Sequence, residues 1–167
     1  MEPIFTNVWV GDEKDFLKIR REKGWAFLRC TKEGPDGHRD LLGYETLGAP
    51  QDKNYLHVIK GNICALNLID VDDPNLIPFD CIKFGLDFIK ENLDKGKKIL
   101  IACEAGHSRA PSVGLMFLRS IGDLPHNFVT SEKIYRTIYR KYDPAMGIRQ
   151  KAKEWWSQLD NLEVNNA

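Results

Sequence analysis

The sequence predicts an α/β domain, a single central and mostly parallel sheet flanked by helices, occupying residues 1–167 as one unit with a frayed tail at 163–167. Strand-like and helix-like segments alternate through the first two-thirds of the chain and helices dominate the last third, the pattern of a sheet packed between helices. After its first residue, Lys98–Ala102 is apolar throughout, as a central strand covered on both faces must be. The 167 residues, 43% hydrophobic and 29% charged, suffice for one core burying about two-thirds of the unfolded surface, and no repeat or linker divides them.

Ile4–Val10 reads as a short hairpin turning at Thr6-Asn7. Glu13–Lys23 sets Phe16, Leu17 and Ile19 among charges ahead of Gly24, an amphipathic helix with its stop, and Trp25–Thr31 follows as a buried strand. Gly34-Pro35-Asp36-Gly37 opens a loop to Asn54 with one helix around Leu41, Leu42 and Tyr44. Tyr55–Ile59 and Ile63–Ile69 are strands parted by Lys60-Gly61-Asn62, the second halted by Asp70-Val71-Asp72-Asp73-Pro74. Pro78–Leu93 is the clearest helix, because Phe79, Ile82, Leu86, Ile89 and Leu93 recur at spacings of three and four and Pro78 suits the first helical position. Beyond the strand Lys98–Ala102, Pro111–Ile121 is a mostly buried helix, and Ser131–Tyr142 and Ile148–Leu162 are two more, separated at Asp143-Pro144.

Charge and cysteine content exclude several functions. The 24 basic and 24 acidic residues cancel, so no net field draws the chain to nucleic acid or an anionic membrane. No apolar run reaches membrane-span length and the first residues lack a signal-like pattern, so the chain is expected to remain in the cytoplasm. Cys30, Cys64, Cys81 and Cys103 are scattered, without the pairing that a zinc site needs; each is expected reduced, as a core residue or a nucleophile. No metal or cofactor is expected, and the oligomeric state is expected to be monomeric.

One segment carries chemistry. KKILIACEAGHSRAPSVGLMFL is a buried strand, a short loop and a buried helix, a layout that turns backbone N–H groups at a helix start toward one small cavity. Cys103 opens the loop and Arg109 stands six positions on, with Gly106 where the backbone can take a conformation closed to other residues. Dipoles that bind phosphate also favour thiolate over thiol, and a planar guanidinium can grip two phosphate oxygens at once. Glu104, Ala105, Gly106, His107 and Ser108 are the expected substrate-binding positions, through their main chain.

CEAGHSR in this setting resembles the signature loop of the cysteine-dependent protein tyrosine phosphatases, nearest the dual-specificity branch. The Asp-bearing turn, the PFDCIKFGLDFIKENL helix and the YDPAMGIRQ segment have similar counterparts in order, so the resemblance covers most of the chain. It implies a dual-specificity phosphatase fold, with Cys103 as nucleophile, Arg109 as oxyanion holder and an acid on a second loop. It favours Asp70 as that acid, with Asp72 and then Asp73 in reserve. It also implies hydrolysis of phosphotyrosine, and of phosphoserine or phosphothreonine, in a protein partner through a phosphocysteine.

Two positions depart from the pattern. Ala102 replaces the histidine that commonly precedes the nucleophile, and Ala110 replaces the hydroxyl residue that commonly follows the arginine. Slower turnover is expected, with Ser108 or Ser112 as substitute donors to the sulfur; the alternative is a pseudophosphatase that binds phosphate with little turnover. Glu104 beside the mouth disfavours highly anionic substrates such as inositol phosphates or RNA ends. Trp155, Trp156, Tyr135, Ile138 and Tyr139 read as packing surface, and Arg136, Arg140, Lys141, Arg149 and Lys151 as a basic solvated face.

Overall fold

The computed structural model of the chain describes residues 1–161; the end of the last helix read from the sequence and the tail at 163–167 lie outside the described residues. In chain order the elements are β1 (Glu2–Phe5), β2 (Val8–Gly11), α1 (Glu13–Ile19), β3 (Trp25–Arg29), α2 (His38–Leu42), β4 (His57–Lys60) and β5 (Ile63–Leu66). Then follow α3 (Phe79–Asp94), β6 (Lys98–Ala102), α4 (Arg109–Ser120), α5 (Phe128–Ile138) and α6 (Met146–Trp155). Single turns of 3-10 helix at Pro74–Leu76 and Leu159–Asn161 complete them.

The strands form one six-stranded sheet in the order β1-β2-β6-β3-β5-β4. β2, β6, β3 and β5 run parallel to one another, and the edge strands β1 and β4 are antiparallel to their neighbours. Side chains alternate along each strand, so the two faces separate cleanly. Val8, Val10, Ala26, Leu28, Ile99 and Ile101 belong to the large core that takes in α3 to α6, whereas Phe27, Leu100 and Ala102 pack with Phe16 of α1. Central β6 is buried on both faces beyond Lys98, which accounts for its continuous apolar run.

The boundaries differ from the sequence reading in instructive places. α1 stops at Ile19, not Lys23, because no apolar residue follows Ile19 to hold another turn against the sheet. β5 stops at Leu66: the Asn67 N–H turns away to the Leu56 carbonyl (2.9 Å) and its side-chain amide donates to Tyr55 O (2.8 Å). Asp70 therefore lies four residues beyond the strand. Pro78 caps α3 in extended geometry and is not its first helical residue. α4 begins at Arg109, two residues before Pro111, where a missing N–H costs nothing within the first turn. α5 begins earlier than Ser131 because Asn127 accepts the Thr130 N–H (2.9 Å) as its cap.

Candidate active site

β6 delivers Cys103 to one edge of the large core. It keeps the parity of Ile99 and Ile101, is buried, and is the next position after the Arg29–Ala102 pairing, so Cys30 lies beside it. The loop after it is held from outside by its carbonyl groups. Glu104 O accepts from the Glu13 N–H (3.2 Å), Gly106 O from the Tyr139 hydroxyl (2.5 Å) and His107 O from the Asp143 N–H (2.7 Å). Among the described residues, none of the N–H groups of residues 104–108 donates to a protein acceptor. A loop whose carbonyls face its supports and whose amides stay unused is an anion nest in the making. Gly106 is required twice, by its φ of +74° and because an added Cβ would lie 3.0 Å from Asp12 Cβ and 3.1 Å from Asp12 N.

Arg109 is anchored by one side of its fork. Nη1 donates to Thr31 Oγ1 (3.1 Å) and to the Leu68 carbonyl (3.2 Å), and the side chain is only 8% exposed. Buried Nε has no hydrogen-bond partner among the described residues. Asp70 Oδ2 is 3.9 Å from Nε and Glu104 Oε2 is 3.8 Å from Nη2, both beyond hydrogen-bond distance. The Nε/Nη2 edge, the one that binds an oxyanion in two parallel contacts, thus faces two carboxylates at ion-pair distance without a hydrogen bond to either.

The three aspartates are divided by their contacts. Asp70 Oδ1 accepts from the Ser108 hydroxyl (2.6 Å), which brings this carboxylate to the loop; its side chain is 32% exposed. Asp72 accepts the Met146 N–H (3.2 Å) at the start of α6, and Asp73 caps the 3-10 turn by accepting the Asn75 N–H (2.9 Å). α6 also closes on the same segment at Gly147, where no Cβ would fit against the Val71 carbonyl. The turn is therefore clamped on one side by α6 and on the other by Ser108.

Of the expected binding positions, Gly106 and Ser108 are buried, whereas Glu104, Ala105 and His107 are exposed at the rim. The His107 ring meets Asp143 O (3.3 Å), and Glu104 is 71% exposed. The two serines offered as donors to the sulfur differ in their contacts. Ser108 gives its proton to Asp70 and takes the Ala145 N–H (2.9 Å), while Ser112 is fully buried beside Tyr142. Arg149 and Arg136 of the basic face are ion-paired with Glu132, and Lys151 with Glu154.

Sequence reasoning missed Thr31, the Leu68 carbonyl, Asp12 and Glu13, and placed Tyr139 only in the packing surface. Asp12 had a readable signal: Asp12 and Asp15 form a reciprocal capping box that starts α1 against the loop. Burial pushes the Tyr139 phenol up, helped by the Cys103 sulfur, so it stays a donor to Gly106 O. Burial also raises Cys30, with Cys103 contributing, raises Cys64, and lifts Cys81 to about 12. These three are core thiols.

No family model matches the chain, and no curated protein matches it. Solved structures do. Human DUSP28 superposes with a TM-score of 0.66 at 12% identity, covering 98% of this chain and 100% of that one. DUSP15 gives 0.65 at 17%, over 97% and 91%. A human tyrosine phosphatase-like serine/threonine/tyrosine-interacting protein gives 0.62 at 14%, over 95% and 96%. The chain has the fold of the dual-specificity phosphatases.

Proposed function

We propose that the chain is a phosphomonoesterase acting on phosphotyrosine, and on phosphoserine or phosphothreonine, in protein substrates. The observation that carries this reading is the buried Arg109 guanidinium, fixed through Nη1 with no hydrogen bond at Nε among the described residues, beside a loop of unused amides headed by Cys103. In this mechanism the Cys103 sulfur attacks phosphorus as the ester P–O bond breaks. Main-chain N–H groups of residues 104–108 and the Arg109 fork hold the three equatorial oxygens. Asp70 gives its proton to the departing oxygen. Water then attacks the phosphocysteine, Asp70 takes a proton from that water, and the S–P bond breaks to release phosphate and the free sulfur. No step needs a metal.

Phosphoproteins suit the site better than nucleic acid, since the chain has no net charge and Glu104 stands at the rim. The described cysteines are all free and buried, in keeping with a cytoplasmic setting; no helix of the described residues is long and apolar enough to cross a membrane. Monomeric action needs nothing from a second copy, because every group named lies in one chain.

Phosphate release from an aryl phosphate tests the reading, with Cys103→Ser expected silent and Asp70→Asn reduced at least tenfold in kcat. A second reading is favoured by Ala110 and by the commitment of Ser108 to Asp70: a phosphate-binding module with little turnover. A parent protein that binds phosphopeptide yet releases no phosphate between pH 5 and 8 would establish it.

A further inference from the structure

Among the described residues, Arg29 is a fully buried charge that the proposed chemistry leaves unused. It ends β3, is fully buried, and pairs in register with Ala102, the residue before Cys103. Register partners of a parallel pair project to the same face, so the Ala102 methyl leaves this face of the sheet to the arginine. The guanidinium lies 4.4 Å from the Phe16 ring centre and bonds Glu13 through Nη2 (3.2 Å). Nε and Nη1 are buried with no hydrogen-bond partner among the described residues.

A buried cation with one partly exposed carboxylate for company is poorly compensated, and replacing such a group by an apolar one is often neutral or stabilising. Stability alone does not account for it. Its neighbours are more informative. Glu13, which it holds, donates its N–H to Glu104 O, and Asp12 packs against Gly106. The positions following Arg29 and Ala102 in their strands are Cys30 and Cys103.

We infer that Arg29 is a positioning residue for the Cys103 loop: it fixes the first turn of α1 as the loop's outer wall and supplies positive charge from beneath the sheet. This rests on the phosphatase reading for its purpose, although its geometry does not. Glu13 of α1 meets Arg29 on its own face of the sheet, and Cys30 and Cys103, the next positions after β3 and β6, lie across the sheet but close enough to act on its charge. Burial lowers the guanidinium while Glu13, then the two sulfurs, act in the opposite sense.

The test replaces Arg29 by Met, which fills the volume of the stem, and by Lys, which keeps charge without the fork. Two readouts apply: the rate of Cys103 labelling by neutral iodoacetamide at pH 6 and pH 9, and kcat against KM for an aryl phosphate. Arg29→Met is expected to cut labelling at pH 6 by about tenfold and leave it unchanged at pH 9, with kcat falling more than KM rises, and Arg29→Lys to recover part of the loss. A merely structural residue would move the melting temperature without this dependence on pH.

Glu13→Gln serves as a second variant that leaves the arginine in place; it should loosen the α1 wall and lower kcat by a smaller factor. Folded Arg29→Met protein with parental labelling at both pH values would overturn the inference. Should Arg29→Met not fold, unchanged labelling and kcat in Arg29→Lys and Glu13→Gln would do so. A parent that releases no phosphate overturns the phosphatase reading alone, since the labelling arm needs no turnover.

Discussion

Thr31→Val is the sharpest probe of how Arg109 is aimed. The substitution keeps the shape of a fully buried side chain and deletes the oxygen that accepts Nη1 at 3.1 Å. A hydrogen bond from a charged donor contributes about 1.5–3 kcal/mol, which corresponds to roughly 10- to 150-fold in affinity if all of it were expressed at the anion. The Leu68 carbonyl continues to hold Nη1 at 3.2 Å, so the lower end applies and phosphate should bind about tenfold more weakly. Thr31 also closes a turn with Glu33, donating to its carbonyl (3.0 Å) and accepting its N–H (3.3 Å). Loss of these as well should cost about 2–4 kcal/mol of stability in total and lower the melting temperature by roughly 5–15 °C. The assay is the inhibition constant of inorganic phosphate or, in a silent protein, its dissociation constant by calorimetry, with Thr31→Ser as the hydroxyl-retaining control. Folded Thr31→Val that binds phosphate within twofold of the parent would refute the view that this hydroxyl sets the fork.

Two further outcomes follow from the site. Ser108 spends its proton on Asp70 and position 110 has no hydroxyl, so nothing at either position donates to the sulfur as it leaves; phosphocysteine hydrolysis should be slower than its formation. Rapid mixing with an aryl phosphate should then show a burst of phenol approaching one equivalent, and strictly linear release from the first turnover would count against it. The second outcome concerns the core thiols. Burial raises Cys30, Cys64 and Cys81, so in native protein at pH 8 iodoacetamide should leave all three unlabelled, while denatured protein should take up four equivalents. The linkage sign is fixed by the direction of those shifts: unfolded thiols ionise near pH 8.5 and the folded ones do not, so stability should be steady below that value and fall as pH rises through 9 and beyond. Constant urea midpoints from pH 8 to 10 would contradict the assignment.

Periodicity made the sheet legible where burial is one-sided or complete. β6 was readable to the residue because an uninterrupted apolar run bounded by Lys98 and the loop leaves no alternative, and α3 to within one residue at each end because its apolar stripe is unbroken over four turns. Ends set by long-range contacts were not. Asn67 turns the chain out of β5 by bonding to Tyr55 and Leu56, partners eleven and twelve residues away that no local pattern reveals. α1 ends where its contact with the sheet ends, although the charged residues that follow are good helix formers.

The same division runs through the site. Cys103, Gly106 and Arg109 lie within one loop, so their spacing was enough to place them together. Asp70, Asp72 and Asp73 sit in one turn, where the resemblance favours the first, and their contacts differ only in the third dimension: Asp72 accepts from Met146, Asp73 caps the 3-10 turn, and Asp70 reaches the loop through Ser108. Thr31, Leu68 and Tyr139 were invisible for a related reason. Each serves the loop from another element through a single atom, a hydroxyl or a carbonyl whose residue type carries no signature. Ala102 and Ala110 read in the sequence as losses, yet a loss is local and its compensation need not be. Arg29 fills the face that Ala102 vacates from the neighbouring strand, 73 positions earlier in the chain, whereas position 110 itself carries no hydroxyl and Ser108 directs its own to Asp70. The two substitutions should therefore differ in consequence: the first repaired by the fold, the second left to limit the rate at which phosphate departs.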